Sequence, residues 1–518
     1  GGSTDSAPAW QALGLLLASI LGRAVLNRFS QLQQTHAGYF MVADEMVEAV
    51  RLGETEIDGS LKQTRVMQAI NTVKVFKKLC AVFRVDKILA VATAAVRRAK
   101  NQRTFLNEMF GSTGLKFKVV SEEEEANLVY QGVINSMEIP KGLIMEIGGS
   151  GTKFVYYNRR NILHTEVFSF GAATLAEMFG GADVAPEETE RKVAEFFRQQ
   201  LETVDWLDEL DPETQFIGVG GSFRNLSALA RRMRKYPLDM THNYNLPVTD
   251  LNAICDMLRT ADPSKKNRIK GLTSVRADVF PCALTAIKCV ADTLGFSKII
   301  TSACGLREGI MFNYAVPLTL EKPITDVLGH SILTYLNYLG CNVAHAEQVY
   351  NLTIQLFKQL RVLHKFPRMY VRVLRVAALL NEVGKTFKYY DNARHAAYMI
   401  LNSNLYGISH RDIVLAAYVT DVFNKNEAPL TDWDKFREKG IITDEDVEAV
   451  KKLAVILGLA VAFDRSNAGV IMEINCDVLG DSVIMKTEVI GDTTLEMRDA
   501  NRCVTDFRKV FKKNLDII

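Results

Sequence analysis

The stretch Gly142-Leu-Ile-Met-Glu-Ile-Gly-Gly-Ser-Gly-Thr-Lys153 is an apolar run that closes on clustered glycines. A strand ending this way lets backbone N–H groups approach an anion without interference from Cβ, and the turn gathers several donors on one point. A second stretch, Gln215-Phe-Ile-Gly-Val-Gly-Gly-Ser-Phe-Arg-Asn225, repeats the pattern. Either alone matches an ordinary strand turn; two in one chain point to a phosphate cleft.

Working outward, helical and strand patterns alternate on both sides of these loops. Leu61–Arg84 spaces Val66, Ile70, Val73, Phe76 and Leu79 at helical intervals, and Lys87–Ala92 and Lys116–Val120 read as strands. Glu122–Gly132 reads as a helix whose first turn holds four glutamates, favourably placed at the positive end of the dipole. Helices at Pro186–Leu201 and Val279–Leu294 complete a second α/β half on the same plan.

After Pro323 long helices take over: Ile324–Leu339, Ala344–Val362, Met369–Leu380, Ala393–Leu401, Ile413–Phe423 and Asp444–Ala462. The tail alternates apolar and polar residues over Val470–Met497, as half-buried strands do, and Arg502–Leu515 reads as a helix. At the other end, Gly1–Ala9 reads as a linker and Trp10–Leu21 as a helix of unknown role. Arg23 and Arg28 cut that run short of a membrane span, and no basic residue precedes it as in a signal peptide. The expected domains are 22–135 and 136–318 (α/β), 319–465 (helical) and 466–518 (small α+β), after a separate segment 1–21.

With 518 residues the chain exceeds a single core, and 48% hydrophobic with 24% charged residues is ordinary for a globular protein. A formal net charge of +2 leaves no global field to hold nucleic acid or an anionic membrane, so neither is an expected partner. The basic groups Arg231/Arg232/Arg234/Lys235, Lys265/Lys266/Arg268/Lys270 and Arg508/Lys509/Lys512/Lys513 read as solvated helix faces. Eight cysteines without Cys-x-x-Cys pairs or zinc-ligand spacing fit a reducing cytoplasm.

Five motifs in order resemble the exopolyphosphatase/guanosine pentaphosphate phosphohydrolase (Ppx/GppA) family in its long bacterial form. They are Ala92-Thr-Ala-Ala-Val-Arg-Arg-Ala-Lys-Asn101, Val120-Ser-Glu-Glu-Glu-Glu-Ala126, Glu146-Ile-Gly-Gly-Ser-Gly-Thr152, Gly218-Val-Gly-Gly-Ser-Phe-Arg-Asn225 and Ser302-Ala-Cys-Gly-Leu-Arg-Glu-Gly309. The resemblance spans about residues 47–518, with Ala462-Phe-Asp-Arg-Ser466 matching in the helical region. It implies an actin/hexokinase-like (ribonuclease H-like) pair of α/β domains, a helical domain like the histidine/aspartate (HD) phosphohydrolases, and a homodimer.

The family's catalytic carboxylate falls on Glu125, a choice among Glu122–Glu125 that composition alone leaves open. Such a group orients and deprotonates an attacking water. Glu146 stands at the family's metal-holding acidic position, which implies Mg2+. Arg97 falls on a family arginine suited to bidentate phosphate contact, and Arg98 reads as a surface charge. Gly148, Gly149, Ser150, Gly151, Thr152, Gly220, Gly221, Ser222 and Arg224 complete the expected phosphate-binding set.

Three departures stand out. No Asp-x-Gly-Ser-Asn-Ser motif occurs in residues 21–34, Lys153 replaces an acidic residue, and Thr174 replaces an arginine. In the helical domain His345 and His395 match family positions, but Leu380-Asn381-Glu382 replaces Leu-His-Asp, so no working metal site is expected there. The expected activity is release of terminal orthophosphate from polyphosphate by metal-assisted water attack. The alternatives are a guanosine pentaphosphate phosphohydrolase, a weakened phosphate- or alarmone-binding regulator, and a kinase or ATPase on the same fold.

Overall fold

The computed structural model describes residues 10–18, 22–30, 40–48, 50–85, 87–181, 183–261, 279–315, 323–424 and 432–518. The chain divides into two compact units, Gly1–Val327 and Leu328–Ile518. The basic run Lys265–Lys270 and the linker Gly1–Ala9 lie outside the described residues.

The first unit holds two sheets. Strands β1 (Trp10–Ala18), β2 (Gly22–Ser30), β3 (Phe40–Glu48), β4 (Lys87–Ala92) and β5 (Lys118–Val119) form the first, in the order β3-β2-β1-β4-β5. Its first three strands are an antiparallel meander, and β4 and β5 join in parallel. Strands β6 (Lys141–Ile147), β7 (Thr152–Asn158), β8 (Asn161–Phe168), β9 (Gln215–Val219), β10 (Tyr244–Pro247) and β11 (Lys298–Ser302) form the second, in the order β8-β7-β6-β9-β11-β10. Again three antiparallel strands are followed by two parallel ones, with β10 added antiparallel at the edge. The two halves therefore repeat one plan, the duplicated α/β architecture of the actin/hexokinase-like fold.

This topology corrects the reading of Trp10–Leu21 as a separate helix. Residues 10–18 are the central strand of the first sheet, paired along β2 on one side and β4 on the other. A short apolar run has no period that separates a doubly paired strand from a buried helix. The correction also moves the place where a first phosphate loop belongs. It is the β1–β2 connection at 19–21, outside the described residues, and Ala18-Ser-Ile-Leu-Gly22 carries no Asp-x-Gly-Ser-Asn-Ser motif either.

Helices α1 (Gln63–Val82), α2 (Ala94–Arg97), α3 (Gln102–Thr113), α4 (Glu122–Ile134), α5 (Ala172–Phe179), α6 (Pro186–Glu202), α7 (Gly221–Met233), α8 (Val248–Thr260), α9 (Phe280–Leu294) and α10 (Leu306–Ala315) cover the sheets. Val66, Ile70, Val73 and Phe76 of α1 pack with Phe105 and Met109 of α3 and with Ala90 and Ala92 of β4. Alternation along β6 sends Leu143, Met145 and Ile147 to a core shared with Phe197 of α6, Leu226 of α7 and Ile287 of α9. Ile144 goes to the opposite face, with Val155 and Tyr157 of β7 and Val129, Tyr130 and Val133 of α4. Leu128 of α4 and Met311 of α10 meet Val91 and Val120 of the first sheet, so α4 and α10 lie between the two sheets. The two helices touch closely: a Cβ at Gly309 would lie 1.8 Å from the Leu128 carbonyl oxygen.

In the second unit Val343–Gln359 packs against Met369–Leu380 and Asp444–Ala462, burying Leu352, Leu356, Val373, Leu374, Leu453 and Leu457. Strands Ile471–Leu479, Ser482–Val489 and Asn514–Ile517 form its sheet. The tail differs from its sequence pattern, because Thr494–Arg502 is helical and the final helix stops at Phe511, ahead of a strand that contains Leu515.

Substitutions at two glycines test the packing in opposite directions. Gly309→Ala forces α4 and α10 apart and is expected to lower stability by roughly 1–3 kcal/mol. Gly111→Ala, in α3 with open space around the added Cβ, is expected to raise it by about 0.5–1 kcal/mol. Urea unfolding midpoints of the full chain check both.

Candidate active site

A cavity of about 530 Å³ opens where α2, the start of α4, the β6–β7 hairpin and the start of α5 converge. Ser121 caps α4, its Oγ accepting from Glu124 N at 3.1 Å, and this fixes Glu125 in the first turn. Ala126 after it is buried against the second sheet, so the Glu125 carboxylate stands at the rim of that core.

The carboxylate is held from two sides. Arg97 Nη1 donates to Glu125 Oε2 at 2.9 Å and to the Val120 carbonyl at 2.8 Å. Lys153 Nζ lies 2.9 Å from Glu125 Oε1 and 3.3 Å from Glu146 Oε2. Side-chain exposure is 8% for Lys153, 12% for Glu125 and 17% for Arg97, while Glu146 is 29% exposed, so the network is mostly shielded and opens to the cavity at Glu146. Strand register makes part of it: Glu146 on β6 and Lys153 on β7 are directly opposite partners, on the face that meets α4. Burial would push the Glu125 carboxyl up, but Lys153 and Arg97 more than offset it and the net direction is down. Burial would push the Lys153 ammonium down, and Glu146 and Glu125 reverse that, leaving it raised.

The glycines do what their positions require. Gly148 N donates to the Gly151 carbonyl at 2.9 Å, closing the hairpin. Ala172 N donates to the Gly148 carbonyl, and Ala173 N and Thr174 N donate to that of Gly149. A trans peptide aims its N–H opposite its C=O, so the N–H groups of Gly149 and Ser150 point away from α5. Gly171 permits this approach, since a Cβ there would lie 2.2 Å from the Gly148 oxygen. Gly220, at φ +96°, is the turn into α7, and a Cβ on it would lie 3.4 Å from Glu146 Cγ. The two glycine loops are thus neighbours, and Ser222 Oγ reaches the Ile147 carbonyl at 3.5 Å.

Of the residues expected from sequence, Arg97, Glu125, Glu146, Gly148–Thr152 and Ser222 line the cavity. Gly220 backs Glu146, while Gly221 begins α7 behind the lining residues. The Thr152 hydroxyl donates to the Phe170 carbonyl at 2.8 Å, which leaves that residue only its backbone for a ligand. Arg224 is outside the lining, and its strongest charged neighbours are Arg307 and Glu308.

Sequence reading missed two contributors. Arg98, taken as a surface charge, lines the cavity and donates through Nη1 to the Ser150 carbonyl at 3.0 Å. Lys153, taken only as a departure, joins both carboxylates; counting across the four-residue turn would have placed it opposite Glu146. Thr174, at the family's arginine position, ties α5 to the hairpin by donating to the Gly149 carbonyl at 3.3 Å.

The donor set is poor for a hard divalent cation. Glu125 and Glu146 both already face the Lys153 ammonium, and among the described residues no group of three or more His, Cys, Asp or Glu gathers in metal-binding geometry.

The profile of the Ppx/GppA phosphatase family matches residues 32–316, and that of Ppx/GppA phosphatase domain III matches residues 330–499. This chain belongs to the Ppx/GppA phosphatase family. A guanosine-5'-triphosphate,3'-diphosphate pyrophosphatase of Aeromonas hydrophila is 25% identical over 387 residues, covering 72% of this chain and 74% of that protein. The counterpart from Aeromonas salmonicida gives the same figures. Among solved structures, an exopolyphosphatase from Cytophaga hutchinsonii aligns with TM-score 0.54 and 23% identity, covering 59% of this chain and 98% of that one. The Aquifex aeolicus Ppx/GppA family member aligns with TM-score 0.51 and 23% identity, covering 60% and 100%. These two share the fold.

In the second unit of this Ppx/GppA protein, His345 Nδ1 is 2.5 Å from Asp464 Oδ2 and Nε2 is 3.4 Å from Glu382 Oε1. Burial opposes the charged form, but the two carboxylates hold His345 up at about 9. Asn381 Nδ2 donates to the Ala378 carbonyl at 2.7 Å, and His395 sits edge-on against Phe387. His345 is thus engaged by Glu382 and Asp464 in an internal ion-pair cluster.

The charge network of the first unit makes a prediction about stability. Lys153→Met leaves two partly buried carboxylates without their shared cation, although Glu125 keeps Arg97, and is expected to destabilise by about 1–3 kcal/mol. Lys153→Met with Glu125→Gln is expected to lose less than the sum of the two singles, and additive losses in urea unfolding would contradict the coupling. A lowered carboxyl contributes above its ordinary 4.5 and a raised ammonium below its ordinary 10.5. Stability from the pair should therefore fall only outside that window.

Proposed function

We propose that this Ppx/GppA protein is an exopolyphosphatase that releases terminal orthophosphate from inorganic polyphosphate. The observation that carries the reading is the joint placement of the Glu125 carboxylate, Arg97, Lys153 and the free N–H groups of Gly149 and Ser150 around one cavity. A terminal phosphoryl group entering there competes for the same cations. Arg97 and Lys153 turn onto its oxygens, the hairpin N–H groups take another, and a Glu125 oxygen is released to hold a water. The water oxygen attacks phosphorus in line, its proton passes to Glu125, and the bond to the bridging oxygen breaks, leaving a chain one phosphate shorter. Positioning and charge stabilisation supply most of the acceleration in such a step.

A second substrate is favoured by a specific observation. The Aeromonas relatives are guanosine-5'-triphosphate,3'-diphosphate pyrophosphatases, and the same attack on the 5'-terminal phosphate of guanosine pentaphosphate needs no change in the catalytic groups. Faster release from the nucleotide than from long polyphosphate, in one buffer, would reverse our order of preference. The homodimer implied by the resemblance belongs to the same proposal, and light scattering of the full chain tests it. Its eight cysteines are all free, in keeping with the cytoplasm proposed for it, and among the described residues no helix is long and apolar enough to cross a membrane.

Glu125→Gln is expected to lower phosphate release by roughly 10²–10⁴-fold, the usual contribution of a positioned base. Because the Glu125 carboxyl is held down, the acid limb of the rate profile should fall below the ordinary 4.5. Undiminished release by Glu125→Gln would overturn the assignment.

A further inference from the structure

A cation site is defined by where its anions point, and in this cavity they point at a side chain. We propose that the Lys153 ammonium is the resident cation of the phosphate site, standing between Glu125 and Glu146 where a divalent ion would otherwise bridge them, so that the site handles phosphate without a bound divalent metal. The inference rests on the reading of this cavity as a phosphate site.

Three observations carry it. The first is distance: Nζ is 2.9 Å from one carboxylate oxygen and 3.3 Å from the other. A magnesium or calcium ion needs oxygens at about 2.0–2.6 Å. Placed between the same two carboxylates, it would overlap the ammonium and face its full charge at close range.

The second is fixation. Lys153 is 7% exposed, and its backbone is locked opposite Glu146 in the β6–β7 ladder between Thr152 and Phe154, both fully buried. Moving the ammonium away from this position without a phosphate to receive it would break both of its carboxylate contacts, so a metal ion cannot displace it cheaply.

The third is charge balance around the ligand. An acidic residue at 153 would put two carboxylates directly opposite each other on neighbouring strands, an arrangement that repels unless a cation sits between them. Lysine reverses the sign and supplies that cation covalently. With Arg97 and Arg98 it gives three fixed positive charges on the cavity wall for an incoming phosphate. Among the described residues no other carboxylate, histidine or cysteine completes a metal-binding group nearby.

The test uses the full chain and separates metal binding from turnover. Equilibrium dialysis against Mn2+ without phosphate is expected to show no saturable site in the wild type. Lys153→Glu is expected to create one and to make the melting temperature rise with Mn2+ concentration. Phosphate release by the wild type in EDTA is expected to stay within about twofold of that in Mg2+, because no step waits for a metal. Lys153→Met, which cannot build a metal site, should weaken inorganic phosphate binding in EDTA by about tenfold or more, the loss of one charge-assisted contact.

A saturable Mn2+ site in the wild type that disappears in Glu146→Gln would overturn the proposal, as would phosphate release abolished by EDTA. If Lys153→Glu does not fold, the wild-type dialysis and the Lys153→Met binding measurement still decide. Because dialysis needs no substrate, the cation assignment can fail or stand independently of whether Glu125 proves to be the base.

Discussion

One ammonium group organises the candidate site. Lys153 sits at the mouth of β7, faces α4, and draws together two carboxylates that come from a helix and from the strand that follows it. Glu125 arrives on the first turn of α4, whose position is fixed by Ser121 at its cap and by the core of Val129, Tyr130 and Val133 beneath it. Glu146 arrives on β6, opposite Lys153 in the ladder. Remove the ammonium and two partly buried carboxylates are left to repel each other. With it, Arg97 can approach the other oxygen of Glu125 and bring the first α/β half into contact with the second.

The backbone of the hairpin completes the arrangement by a different device. The Gly148 and Gly149 carbonyls are consumed by the first turn of α5, so the N–H groups of Gly149 and Ser150 face away from that helix, in a hairpin that lines the cavity with Glu125. A close approach that only glycine allows at Gly171, and a left-handed backbone at Gly220, make that packing achievable. The hairpin peptides and the first turn of α4 thus set backbone donors and a carboxylate on the wall of one cavity.

Much of this was legible in the sequence because local rules decided it. The glycine loops, the acid-rich start of α4 and the long helices after Pro323 carry signals within a dozen residues of themselves. The repeated α/β plan was legible in the alternation of helices and strands, while the actin/hexokinase-like arrangement came only through family resemblance. Trp10–Ala18 went wrong because a short, mostly apolar run looks alike as a central strand or a buried helix, and only pairing to β2 and β4 separates them. Arg98 was unreadable for another reason: α2 is a single turn, and which of two adjacent arginines faces the hairpin depends on how the halves meet. Lys153 lay between these cases. Its residue type read as a loss until the register of β6 and β7 showed what it faces.

The most direct test of this account is a crystal structure of the full chain grown with Mn2+ and tripolyphosphate, with anomalous scattering used to find the metal. The account predicts a terminal phosphate within hydrogen-bond reach of Lys153 Nζ, Arg97 and the N–H groups of Gly149 and Ser150, and no manganese peak between Glu125 and Glu146. A manganese ion bridging those two carboxylates, with Lys153 turned aside, would contradict it.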